Sequence, residues 1–300
     1  MSAGRAQTPR LDSCGVTEAG WSSGWRHGWW ADAALVFGAA AVLAQITYPL
    51  LRGDALRAAT IATVVLFTAA AVTHAAAWWG AWAGTAVLVT AGAIGLAAEA
   101  VGVATGVPFG RYAYAGTLGP QLLGVPVLVP LAWTMMAYPA LLLGRRLAGN
   151  GAARGVRVAL LGGATLAAWD LFLDPQMVAA GHWTWAHPQP SLPGVPLIPL
   201  TNAAGWLLVG TVLVAALDRV LAAHPPDVAR EALPAALLVW TWLGSTLANL
   251  AFFHRPWVAL YGGIGLGLLV APYLLSLTVD VRAARAAGAA HDLSTRPVTA

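Results

Sequence analysis

Residues Gly84–Val103 read GTAVLVTAGAIGLAAEAVGV, twenty residues with a single charged side chain, Glu99. A helix of about 20 apolar residues is what the hydrocarbon core of a bilayer requires. The stretch has no polar face to turn toward water, so burial in a soluble core would need protein on every side. Working outward, comparable runs occur at Ala33–Leu51, Ala58–Ala77, Leu122–Leu143, Val156–Leu173, Ala203–Leu221, Leu233–Phe253 and Val258–Thr278. The expected fold is therefore an all-α integral membrane protein, a bundle of seven or eight transmembrane helices. An N-terminal tail over 1–31, a membrane domain over 32–279 and a cytoplasmic tail over 280–300 are the expected divisions.

Composition agrees. Hydrophobic residues make up 59% of the 300 and charged residues 9%, with a mean hydropathy of +0.70. Soluble domains carry about 25% charged residues. All 16 basic residues are arginine, and they form no stripe suited to phosphates, so no nucleic-acid partner is expected. Their distribution tracks topology instead. With eight helices and a cytoplasmic N-terminus, inside segments hold Arg5, Arg10, Arg26, Arg145, Arg146, Arg154, Arg157, Arg219, Arg230, Arg282, Arg285 and Arg296. Outside loops hold only Arg52, Arg57, Arg111 and Arg255. This asymmetry fits the positive-inside rule and predicts a multi-pass protein of the inner membrane with both termini cytoplasmic.

Residues 1–31 contain no continuous apolar run, so the first spanning helix, not a cleaved leader, is expected to direct insertion. Trp21, Trp25 and Trp29 share one helical face there, as an interfacial anchor would. The lone cysteine, Cys14, cannot form an intrachain disulfide. No lysine is present, which removes a retinal Schiff base from consideration. His182, His187 and His254 lack H-x-x-x-H spacing, so no metal site is expected.

Two segments echo each other. Glu99 is followed by Tyr112 and Tyr114, then by Gly124-Val125-Pro126, Pro130 and a new apolar run. Asp170 is followed by Trp183 and Trp185, then by Gly194-Val195-Pro196, Pro199 and another such run. This spacing predicts a repeated helix–loop–helix unit in one orientation. Both acids should then lie near the outer ends of equivalent helices, under aromatic loops covering one shared cavity.

Acids are scarce within the apolar runs, and Glu99, Asp170 and Asp174 stand out. A carboxyl placed in hydrocarbon faces a cavity or a partner. Burial disfavours its charged form, which makes it a candidate general acid at neutral pH. Asp170 and Asp174 are one helical turn apart, so their proton affinities should separate into donor and acceptor. Asp174 also precedes Pro175 and can simply end its helix. Phe109, Tyr112, Tyr114, Trp183 and Trp185 either form an interfacial belt or offer π faces to a cation. Asn202 and Trp206 read either as helix cap and belt residue or as groups that orient water.

The motifs Glu99-x-x-Gly102, Thr105-Gly-x-Pro-Phe-Gly-x-Tyr112-x-Tyr114, Trp169-Asp170-x-x-x-Asp174-Pro175, Gly181-x-Trp183-x-Trp185 and Asn202-x-x-Gly205-Trp206 together resemble the carotenoid biosynthesis protein family that includes bacterioruberin-type carotenoid hydratases. The resemblance covers about residues 90–210. It implies hydration of a terminal isopropylidene double bond of an acyclic carotenoid, through protonation to a tertiary carbocation and capture by water. No cofactor is implied. The carotenoid would arrive from the bilayer, and association with other carotenoid-pathway enzymes is implied. On chemical grounds Glu99 or Asp170 donates the proton and the other acid, or Asp174, aligns water. Phe109, Tyr112, Tyr114, Trp169, Trp183, Trp185, Asn202 and Trp206 would line the substrate. A lycopene-cyclase-like enzyme, a prenyltransferase using Asp170-x-x-x-Asp174 with magnesium, and a non-catalytic carotenoid- or lipid-binding protein are the competing readings.

Overall fold

The computed structural model describes residues 21–223 and 227–294, with the side chains of 21–27, 284 and 287–294 left aside. Cys14, Arg5, Arg10, Arg296 and the side chains of Trp21, Trp25 and Arg26 thus lie outside the described residues. Eight helices follow one another among the described residues: α1 (Trp21–Thr47), α2 (Gly53–Trp79), α3 (Ala81–Thr105), α4 (Leu128–Leu147), α5 (Arg154–Ala179), α6 (Leu200–Val220), α7 (Val228–Ala251) and α8 (Pro256–Ser294). Seven of them are long and apolar enough to cross a membrane, and the protein is a multi-pass membrane protein.

The eighth helix, α4, explains why hydropathy alone leaves the count open. At 20 residues it is about 30 Å long, yet it sits in the middle of the bundle and packs on α2, α3, α5, α6, α7 and α8. Every residue from Trp133 to Arg146 is buried. A helix surrounded by protein need not be apolar enough for lipid, so it can carry Thr134, Tyr138, Arg145 and Arg146. The outer helices show the converse, with Leu43, Val89, Leu208 and Leu268 exposed on the lipid-facing surface. Close helix contact uses small residues, as expected where lipid tails supply no hydrophobic drive. A Cβ added to Gly163 would lie 2.3 Å from Thr211 Oγ1, and one on Gly162 would lie 2.6 Å from Val214. These two glycines let α5 and α6 touch backbone to backbone.

Three boundaries differ from the sequence expectation. The apolar run beginning at Leu122 does not start a helix there. Residues 121–126 form a small hairpin of β2 (Gln121–Leu122) and β3 (Val125–Pro126), with Leu123 and Gly124 both at positive φ, 53° and 79°. That is the geometry of a tight hairpin turn. Pro175 does not stop α5, which runs to Ala179, so Asp174 is a helical side chain facing the interior and not a terminator. At the C-terminus, α8 runs on through Ser294.

The internal repeat is present. The unit α3–β1–β2–β3–α4, with β1 at Tyr112–Tyr114, corresponds to α5–β4–β5–β6–α6, with β4 at Trp183–Trp185, β5 at Ser191–Leu192 and β6 at Val195–Pro199. Strand β1 pairs antiparallel with β4, Tyr112 opposite Trp185, Ala113 opposite Thr184 and Tyr114 opposite Trp183. This register is what a two-fold axis between the units produces. The flanking bonds obey it as well: Ala115 N–H donates to His182 O at 2.9 Å, and Ala186 N–H donates to Arg111 O at 2.8 Å.

On the opposite face, arginines lock the helix ends. Arg145 Nε donates to Asp218 Oδ1 at 2.7 Å, joining α4 to α6. Arg146 contacts both oxygens of Glu231 at 2.5 and 3.0 Å and reaches Asp280 at 2.6 Å, joining α4 to α7 and α8. Glu231 and the Arg146 side chain are almost fully buried. Removing one member of such a pair strands the other charge, so Arg146→Met should lower stability by about 3–5 kcal/mol. Thermal or chemical unfolding in detergent would check this, and a loss below about 1 kcal/mol would reduce the cluster to a surface-type ion pair.

Candidate active site

The acids sit at the end of the bundle where the two aromatic strands meet. Glu99 is nearly two turns from the C-terminus of α3 and is buried. Its Oε2 accepts from Tyr112 Oη, in a short bond, and from Tyr114 Oη at 2.8 Å. Its Oε1 accepts from Trp133 Nε1 at 3.0 Å. Burial first, then the Glu99 carboxyl, raise both phenols above their ordinary titration range, so each remains an O–H donor.

Glycines make these approaches possible. One turn before Glu99, a Cβ on Gly95 would lie 2.7 Å from the Trp133 ring. One turn after it, a Cβ on Gly102 would lie 2.8 Å from Tyr112 Oη and 2.9 Å from Phe109. In the other unit, a Cβ on Gly205 would lie 2.6 Å from the same phenylalanine. Phe109 is thus clamped between glycines of the two repeats. Its carbonyl accepts from Trp185 Nε1 at 2.9 Å.

The second acid group comes from α5. Asp174 Oδ1 accepts from Trp183 Nε1 at 3.0 Å. The Asn202 amide at the start of α6 donates to Asp170 Oδ2 at 2.8 Å and to Asp174 Oδ2 in a short bond. One amide group therefore bridges two buried carboxyls. Among the described residues the second oxygen of Asp170, Oδ1, meets no donor apart from the neighbouring Asp174 carboxyl.

Glu99, Phe109, Tyr112, Tyr114, Asp174, Trp183, Trp185, Asn202 and Trp206 all line one cavity. Aromatic rings enclose it edge to face: Tyr112 on Tyr114 at 5.5 Å, and Tyr114 on Trp183 at 5.6 Å. Trp133 and Trp206 stack at 3.9 Å as its floor. Two expected members lie elsewhere. Trp169 packs edge-on behind Trp206 at 5.7 Å. Asp170 lines a neighbouring cavity under the β5–β6 hairpin, beside Ile198, Pro199 and Tyr261, and Asp174 and Asn202 line both spaces. The expected sharing of one cavity by Glu99 and Asp170 is therefore corrected: Asp174, one turn further along α5, faces Glu99's cavity and Asp170 stands behind it.

Trp133 escaped sequence reasoning, because a tryptophan within an apolar run carries no motif. The available signal was Gly95, a missing side chain one turn from a buried acid. His182 is neighbour to the site without joining it. Its Nδ1 meets Thr117 Oγ1 at 2.7 Å, and burial, then Arg57, lower its pKa, which keeps the ring neutral.

The fold and the site together define a multi-pass membrane protein whose buried carboxyls lie under a two-fold aromatic cover. The chain belongs to the carotenoid biosynthesis protein family, whose model matches residues 59–270. It is also 44% identical over 121 residues to the bisanhydrobacterioruberin hydratase of Haloarcula japonica, a match covering about 40% of each chain. No solved structure matches it.

Proposed function

We propose that the protein is a carotenoid hydratase that adds water across the terminal isopropylidene double bond of an acyclic carotenoid. The observation that carries this reading is the single cavity in which Asp174 and Glu99 face each other's space within an aromatic wall. The printed name of the Haloarcula japonica relative supports the reaction type.

The chemistry follows from what each acid touches. Two carboxyls bridged by one amide repel if both are charged, so Asp170 and Asp174 hold one proton between them. Asp174, the member facing the aromatic cavity, delivers it to the alkene CH carbon. The π electrons form the new C–H bond and leave a tertiary carbocation. The π faces of Tyr112, Tyr114, Trp183 and Trp185 stabilise that cation. Glu99 accepts three hydrogen bonds, the setting of a carboxylate. It orients the water and takes its proton as the C–O bond forms. The product is a tertiary alcohol, and the proton returns from Glu99 to the Asp170–Asp174 pair through the shared cavity. The excess of arginines expected on the opposite side supports a cytoplasmic assignment for that face and, with it, a site near the outer leaflet.

Expression in a host that accumulates an acyclic carotenoid, followed by mass analysis of the extracted pigment, tests the reading. A hydratase adds the mass of one water for each end that reacts. A cyclase would return an isomer of unchanged mass, and a binding protein would return the substrate itself.

A further inference from the structure

A second and wider cavity, partly open to the outside, lies between α1, α2, α5 and α7. We infer that it is the arm that receives the polyene chain while the reacting end enters the aromatic cavity, and that Asn249 reads a hydroxyl carried on that chain. This inference rests on the carotenoid reading above and adds where the body of the substrate lies.

Adjacency is the first argument. Thr60, Val64, Leu173 and Met177 line both this cavity and the aromatic one, so a single layer of side chains stands between them. A ligand whose end meets Asp174 and Glu99 has this space directly behind it. The second argument is shape. The wall is built mainly of hydrocarbon and aromatic surface, Met135, Trp169, Phe172 and Phe253 among it, as a conjugated chain requires. Trp169 belongs to this wall, which gives the tryptophan next to Asp170 a place beside substrate after all.

The third argument is polar. Asn249 is 3% exposed and, among the described residues, its Oδ1 has no hydrogen-bond partner, while its Nδ2 donates to Ser245 O at 2.9 Å. Thr63 Oγ1 is likewise buried and unpaired. Both residues line the arm. An unpaired buried polar atom is costly, and space for plain lipid tails would not warrant it. An amide oxygen in an apolar wall selects a donor, and a hydroxyl is the donor an oxygenated isoprenoid offers. Across the cavity Gln45 Oε1 is occupied by Trp240 Nε1 at 2.6 Å, which pins α1 to α7 at the cavity's edge.

Two filling variants test the arm. Ala248→Trp puts bulk into it. Gly244→Leu does the same from a position where the nearest contact of an added Cβ is the Trp240 ring, at an ordinary 3.5 Å. Both are made in full-length protein in a Glu99→Gln background, expressed with an acyclic carotenoid and purified. Pigment per protein should fall at least about tenfold in both relative to Glu99→Gln alone, with unchanged elution volume showing intact folding. Retention at the parent level in both would overturn the arm. Asn249→Leu should lower retention of a hydroxylated acyclic carotenoid about fivefold while leaving its hydrocarbon parent unchanged. Equal effects on the two pigments would overturn the role given to Asn249. These readouts measure binding, so turnover by Glu99→Gln itself would count against the hydration mechanism and not against the arm.

Discussion

Asp174→Asn should lower hydration by about 100-fold to 10,000-fold, the range lost with a general acid. The substitution keeps the side chain's size and its place in α5, where the helix continues past Pro175. Only the transferable proton is lost. The new amide can still accept from Trp183 Nε1, the bond seen at 3.0 Å in the parent, but it sets an NH₂ against the donor amide of Asn202. A stability loss of about 1–3 kcal/mol accompanies the change. Pigment should still co-purify, which separates failed chemistry from failed binding. Hydration at more than about a tenth of the parent rate would remove Asp174 as the donor, and Asp170→Asn would then be the next variant to read.

Glu99→Gln should also suppress the product, by about 100-fold, for a different reason. Its carboxylate accepts two phenols on one oxygen and an indole on the other. Glutamine supplies one carbonyl and one NH₂, so the indole N–H or the phenols lose their acceptor. Without the carboxylate, water is neither held nor deprotonated, while Asp174 can still protonate the alkene. In D₂O the cation then collapses by losing a proton from carbon. Recovered carotenoid should carry deuterium at its isopropylidene end with Glu99→Gln and none with Asp174→Asn. Identical labelling in the two variants would contradict the division of roles.

How far the site could be read from the sequence depended on the kind of signal each residue left. Glu99 and Asp170 were legible because a carboxyl within an apolar run is costly and therefore has a purpose. The aromatic pairs were legible because they recur at the same spacing from each acid, and the antiparallel register of β1 on β4 is the geometric counterpart of that recurrence. Trp133 was not legible, since its pairing with Glu99 crosses from α3 to α4 and depends on the gap above Gly95. Nor was the exchange of Asp170 for Asp174. Residues four apart share a helical face, but which of them reaches the cavity depends on how α5 is rotated against α6. That rotation is set by the glycine contacts at Gly162 and Gly163.

The sequence by itself determined that this chain lives in a bilayer, folds as helices and carries a repeated acid–aromatic unit. Those properties follow from local cost: an apolar run must avoid water, its backbone must hydrogen-bond to itself, and a buried acid must find a partner. Only the tertiary structure decided that α4 is the enclosed central helix, that Asp174 and not Asp170 shares a cavity with Glu99, and that a second cavity adjoins it. Such facts depend on the angles and separations of packed helices. These are fixed by many small side-chain contacts between distant parts of the chain, which no single stretch of sequence contains.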